Sequence, residues 1–181
     1  VHQCLRHGLN ALRARVDAHT PLVVLAHSLG GHIVSNFVWD QQCINKTPSC
    51  PADPFLALET LVGMVTFGCN IPLFTFAYDP VVPIRFPGHC LNQTMRDRAR
   101  WINLYAPADP LGYPLRTLPA YAPLVARDIA LPVGPWYKRH TPLSHVEYWR
   151  DRGFQNQVAE FLEDLLLVEN SQLAPHRKLK T

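Results

Sequence analysis

A chain of 181 residues with 48% hydrophobic and 17% charged residues reads as one ordinary globular domain with a substantial core, not a disordered segment. Its formal net charge of +3 is too small to indicate a nucleic-acid partner. No apolar run approaches the ~18 residues of a membrane span, and no signal peptide is visible.

The first residues already follow a helical pattern. Leu5, Leu9, Leu12 and Val16 recur at three- and four-residue spacing and predict a helix over residues 3–18. The run Pro21 to Ile33, PLVVLAHSLGGHI, comes next. Its apolar residues Leu22, Val23, Val24 and Leu25 predict a buried strand over 21–26, and a helical pattern covers 29–41. Between them lies the compact turn Ala26-His27-Ser28-Leu29-Gly30-Gly31. A strand, a tight turn centred on a serine and a helix make a nucleophile elbow. Such an elbow exposes the hydroxyl on a strained backbone and aims the first helical turn at any anion forming there. Small residues at Ala26 and Gly30 are expected to serve a close approach of strand and helix.

Residues 42–55 carry Cys43, Asn45, Pro48, Pro51 and Pro54 and are predicted loop, while Leu56–Leu61 is compatible with a short helix. A second buried strand is predicted over 62–68. Residues 69–87 are rich in proline and aromatics and read as an irregular excursion or a short pair of edge strands. Residues 93–100 form a polar helical turn. A third strand, 101–105, runs into Ala106-Pro107-Ala108-Asp109-Pro110, and a fourth is predicted from Arg127 to Val133. After a loop, a final helix is predicted from about Ser144 to Glu169, with Val158, Phe161, Leu162, Leu165 and Leu166 on one face. Residues 170–181 read as a solvated, flexible tail. Strands alternating with helices predict an α/β domain, its parallel sheet covered by helices on both faces.

The five cysteines are scattered: Cys4, Cys43, Cys50, Cys69 and Cys90. Cys43 and Cys50 flank a short loop and are candidates for a disulfide in an oxidising compartment, which the sequons at Asn45 and Asn92 would suit. Free thiols in a reducing cytoplasm are the favoured reading. No C-x-x-C pair, phosphate-binding loop, G-x-G-x-x-G or H-E-x-x-H sequence is present.

With Ala26 in place of the first glycine of G-x-S-x-G, the elbow resembles that of the α/β-hydrolase family, and within it the serine lipases and esterases carrying HSLGG. The resemblance extends from about Ala11 to Leu167. It implies Ser28 as nucleophile, followed in chain order by an acid and a histidine base on loops at strand ends. Asp109, after the strand 101–105, is the favoured acid. Asp79 in YDPVVP is its rival, resembling a D-P-V-P phrase of class 3 lipases but following the second strand too closely. Asp128 lies at a strand start, the wrong edge. His145 in SHVEYW is the favoured base, resembling the H-x-x-Y/W ending of lipase-type hydrolases, whose aromatics pack the histidine loop; His140 is its rival. His27 and His32 flank the elbow; His27 reads as a packing or site-lining residue, and His32, on the helix, as a packed or solvent-facing one.

The Leu29 amide is the expected oxyanion donor. The second donor comes, in the family, from a loop after an early strand that these residues do not contain. The resemblance therefore implies the C-terminal part of a longer hydrolase, with the 21–26 strand left as an unpaired edge prone to aggregation or edge-strand dimerisation. It implies no metal or organic cofactor, and a small-molecule or lipid ester as substrate. Thr66-Phe67-Gly68 resembles a T-F-G-x-P phrase of class 3 lipases and favours a carboxylic ester. The aromatic segment 71–87 is read as an acyl wall or lid, or as a packed crossover. A thioesterase or amidase with the same triad, and a non-catalytic hydrolase-fold binding protein, are the alternatives.

Overall fold

Each of the four predicted apolar runs becomes a strand of one sheet in the computed structural model, which describes residues 2–44 and 49–172. The strands β1 (Leu22–His27), β2 (Leu61–Phe67), β3 (Arg100–Tyr105) and β4 (Val125–Ala130) lie in the order β1-β2-β3-β4, and every neighbouring pair is parallel. Parallel strands need long crossovers. The helices α2 (Leu29–Ile44), α3 (Ile71–Thr75) and α4 (Gln93–Arg98) lie in those crossovers, while α1 (His2–Arg13) precedes β1 and α5 (Arg152–Gln172) follows β4. The link from β3 to β4 is instead built of turns.

Helices cover both faces, as expected for an α/β sheet. On one face Leu9 of α1 and Phe37 and Val38 of α2 share a core with Met64 and Trp101. On the other, Phe154, Phe161 and Leu165 of α5 pack with Val65 and Ile102. Covered on both sides, β2 is buried at every position. As an edge strand, β1 leaves Val23, Val24 and Leu25 only partly buried.

Several boundaries differ from the predicted ones. The first helix stops at Arg13, whose guanidinium turns to the Val16 carbonyl and the Asp53 carboxylate. Residues 53–59 make a single turn, with the Asp53 side chain accepting from Leu56 N–H and Leu58 in the left-handed region at φ 61°. Residues 69–87 contain the short helix α3 and no strand. The last strand begins two residues early and ends at Ala130, because Pro132 has no N–H with which to extend the ladder. The last helix begins only at Arg152. Asp151 caps it by accepting from Phe154 N–H at 3.0 Å, and two 3-10 turns, Pro142–Val146 and Tyr148–Arg150, precede it. Helix α5 continues to Gln172, past the predicted start of the tail at residue 170; residues 173–181 lie outside the described residues, as does Asn45.

The cysteine pairing also differs. Cys50 is joined to Cys90, not to Cys43, and Cys4, Cys43 and Cys69 are the free thiols. The reason is tertiary. Glu59, only 1% exposed, receives hydrogen bonds from the Arg85 and His89 side chains and from His89 N–H. Gly88 N–H donates to Leu61 O and Cys90 N–H to Glu59 O, so the returning segment is tied beside the start of β2 and delivers Cys90 to Cys50. Asn92, the described sequon, caps α4 by accepting from Met95 N–H at 2.8 Å.

At the elbow, the close approach falls at Gly31 and not at Gly30. A Cβ at Gly30 would meet nothing, whereas one at Gly31 would land on the Cys69 sulfur. Gly31→Ala is expected to cost about 1–3 kcal/mol through overpacking. Thermal melting of Gly31→Ala, Cys69→Ala and the double variant checks this, with most of the loss recovered in the double. Equal melting of wild type and Gly31→Ala would contradict it.

Candidate active site

The C-terminal edge of the sheet collects one polar residue from each of three of the segments that leave its strands. Ser28 follows β1, Asp109 follows β3, and His145 lies in the connection after β4. Each is held by its own backbone. Ser28 sits at φ 55°, in the left-handed region that costs a non-glycine residue about 1–3 kcal/mol. Its N–H donates to Phe67 O at 3.0 Å and its carbonyl accepts from Gly31 N–H at 3.1 Å, which tie the strained residue to β2 and to α2. Asp109 is fixed in a turn by its own N–H to Ala106 O at 2.9 Å. His145 lies on the 3-10 turn that Thr141 opens by accepting from Leu143 N–H at 3.2 Å.

The three side chains form one hydrogen-bonded chain. Ser28 Oγ lies 2.8 Å from His145 Nε2, and His145 Nδ1 lies 3.0 and 2.9 Å from the two oxygens of Asp109. A carboxylate only accepts, so Nδ1 carries the imidazole proton and donates it to Asp109. Nε2 is then left with a lone pair facing the serine hydroxyl. Asp109 is buried, 4% exposed, and its carboxylate is compensated by further donors. Leu111 N–H donates to Oδ1 at 2.9 Å and the Tyr148 hydroxyl to Oδ2 at 3.0 Å. The same hydroxyl accepts from Ala106 N–H at 2.8 Å. Burial raises the Tyr148 phenol well above its ordinary value, so it remains a donor at any physiological pH.

The rival residues lie elsewhere. Asp79 is exposed beyond α3, and the Asp128 carboxylate is occupied by Asn103 Nδ2 and by the N–H groups of Leu115 and Arg116. Asp128 also stands inside β4, not at its start. His140 is exposed. His32, on α2, stacks against Phe74 at a centroid distance of 4.0 Å and bonds Asn36. Leu29 opens α2, whose first amides have no acceptor within the helix, so its N–H belongs to the set that an anion beside Ser28 would meet. Cys69, beneath the elbow, is no competing nucleophile: burial pushes its thiol up to about 12.

Two contributors are less visible in sequence. Gly68 follows β2 directly at φ 52°, and a Cβ there would stand 2.8 Å from the Tyr148 ring, 3.0 Å from Asp109 Oδ2 and 3.3 Å from His145 Nδ1. Its only signal is a glycine directly after an apolar strand. Tyr148 has a signal in its spacing from His145, but its double hydrogen bond does not follow from spacing. Gly68→Ala is expected to displace this contact and lower the melting temperature; a reaction that ran through Ser28 and His145 would slow about 10²-fold, the scale of a misplacement near 1 Å. Unchanged kcat in a Gly68→Ala protein would contradict that.

A cleft of about 330 Å³ lies along α2; His32, Trp39, Phe74, Tyr78, Val82 and Ile84 are among its walls, and Ser28, Asp109 and His145 are not. The segment 71–87 is buried at some of its apolar positions and exposed at others. Ile71, Thr75 and Ile84 are buried as packing, while Phe74, Phe76, Tyr78 and Val82 remain exposed. Among the described residues, Cys50, His89 and Cys90 bring potential metal-ligand atoms within 4.8 Å of one another. The two sulfurs are bonded to each other and do not form the thiolates that such a site needs.

No protein-family model matches the chain, and neither a curated protein nor a solved structure gives a match.

Proposed function

We propose that the protein is a serine hydrolase that cleaves a carboxylic ester through an acyl-enzyme on Ser28. The observation that carries this reading is the continuous chain from Ser28 Oγ through the His145 ring to the Asp109 carboxylate, at 2.8 and 2.9 Å, with the serine on a left-handed backbone. A serine only partly buried needs no such partners for folding, and strain of this kind gathers at working sites.

In the proposed reaction His145 Nε2 takes the Ser28 proton as Oγ attacks the ester carbonyl. Asp109 holds the imidazole tautomer and stabilises the imidazolium that forms. The Leu29 amide donates to the oxyanion, a type of contact worth about 10²–10³ in turnover. His145 then passes its proton to the leaving alcohol, and the acyl–Oγ ester forms as the alcohol departs. Water, deprotonated by His145, attacks that ester and returns Ser28 to its starting state. No step calls for a metal or an organic cofactor.

The cleft beside α2, with Trp39, Phe74, Tyr78 and Val82 in its walls, favours an ester with an apolar acyl or alcohol part, lipids included. The Cys50–Cys90 disulfide favours an oxidising compartment over the reducing cytoplasm expected from the scattered cysteines.

A fluorophosphonate probe tests the reading. The full-length protein is expected to be labelled on Ser28, identified by peptide mass, and Ser28→Ala is expected to lose the label. A folded protein that takes no label would instead be a non-catalytic binding protein. Thioester and amide series, run beside carboxylic esters, test the reaction class.

A further inference from the structure

The histidine one residue before the nucleophile makes a contact that packing alone does not require. His27 is the last residue of β1, and its Nε2 lies 2.9 Å from the main-chain carbonyl of His145. The acceptor is a carbonyl, so Nε2 carries the proton and donates. The ring is held flat for this purpose. It stacks on Phe67, its partner in the β1–β2 register, at a centroid distance of 5.0 Å and an interplanar angle of 16°. On its other contacts it meets the His145 ring at 4.9 Å and the Tyr148 ring at 5.6 Å.

Building on the serine hydrolase reading, we propose that His27 is a positioning residue that ties the backbone of the His145 base to the strand carrying Ser28. The need for such a tie is visible in the chain. His145 sits on a short 3-10 turn at the surface, and its neighbours Leu143 and Val146 are 58% and 63% exposed. The hydrogen bonds Ser144 N–H to Thr141 O and Glu147 N–H to Ser144 O stay within that local segment and fix its shape, not its distance from β1. The His27 bond spans 118 residues of sequence and joins the base's own carbonyl to the nucleophile's neighbour. It acts with the Ser28–His145 contact as a second constraint between the same two segments.

The charge state of His27 suits this role. Burial, and next the repulsion of a cationic His145, lower its pKa, opposed by the His145 carbonyl and by Asp109. His27 is thus neutral at pH 7. A neutral donor holds the backbone without placing a second positive charge beside the imidazolium that His145 becomes during proton transfer.

Glutamine and phenylalanine separate the bond from the packing. Glutamine places an amide nitrogen the same number of bonds from Cα as His27 Nε2 and keeps a donor, while phenylalanine keeps an aromatic ring for Phe67 and loses the donor. Hydrolysis of p-nitrophenyl butyrate and the rate of fluorophosphonate labelling are measured for His27→Gln, His27→Phe and wild type in the full-length protein. His27→Phe is expected to lose about 10–100-fold in kcat with KM within about twofold, the scale set by a base displaced by up to 1 Å. Its labelling rate is expected to fall in parallel, and His27→Gln to keep most of both rates. If the phenylalanine ring does not fit, His27→Met, flexible and without a donor, carries the same expectation in a folded protein. His27→Phe as fast as wild type, or His27→Gln falling as far as His27→Phe, would overturn the inference while Ser28 still labels. Loss of all labelling in the wild type would strike the hydrolase reading itself.

Discussion

Ser28→Ala is expected to lower kcat for ester hydrolysis by about 10⁶-fold, the order seen when a triad nucleophile is removed, while the protein keeps its secondary structure. The loss is so large because the hydroxyl is the only atom of the residue that reacts; the backbone bonds to Phe67 and Gly31 survive the change. His145→Ala is expected to lose about as much alone, and the double variant little more, because in the proposed reaction the two act as one proton-transfer unit. Ser28→Gly adds a sign that separates function from folding. Glycine accepts φ 55° without strain, so this variant is expected to be as inactive as Ser28→Ala yet about 1 kcal/mol more stable. Steady-state rates and chemical denaturation check both parts. Retention of more than a hundredth of the wild-type kcat in folded Ser28→Ala would remove Ser28 from the mechanism.

Asp109→Asn is expected to cost about 10⁴-fold in kcat, the order found when a triad carboxylate becomes an amide. Its physical basis is a tautomer. The carboxylate demands the proton on His145 Nδ1, at 2.9–3.0 Å, and thereby leaves Nε2 able to accept from Ser28. An amide offers a donor of its own, so His145 can present its lone pair to the introduced amide and its proton to the serine, the wrong arrangement for a base. The amide oxygen still serves one of Leu111 N–H and Tyr148, so folding is expected to change less than activity. Asp79→Asn is the matched control, since Asp79 is exposed and far along the chain from any strand end that carries the other two groups. Rates for the two variants, each with its melting temperature, decide between them. A larger loss in Asp79→Asn than in Asp109→Asn would reverse the assignment of the acid.

Ser28 was legible because strand, turn and helix announce themselves within a dozen residues: an apolar run, two glycines and a 3.6-residue pattern. Asp109 and His145 were legible through order and position, as an acid after one strand and a histidine after the next, and His145 also through the resemblance of SHVEYW to a lipase-type phrase. The structure brings those three side chains into hydrogen-bond contact and leaves Asp79, Asp128 and His140 away from the serine. Of the adjacent glycines, the close approach uses Gly31 where local spacing points to Gly30. A helical register decides which of the two faces Cys69, and periodicity places that register no better than a residue or so. Apolar spacing extends the last helix upstream through His145, but Asp151 offers a cap that starts it later.

The sequence by itself determined the α/β alternation, the identity of the buried strands and the site of the elbow, because these depend on local periodicity and on a few residues adjacent in the chain. Tertiary structure alone decided which cysteine meets Cys50, how Tyr148 joins Ala106 to Asp109, and that His27 donates to the carbonyl of His145. Those contacts link segments widely separated in the chain, by 40 residues for the disulfide and 118 for the His27 bond. They exist only once the sheet has set the strand ends side by side, and spacing along the chain carries no record of distance across it.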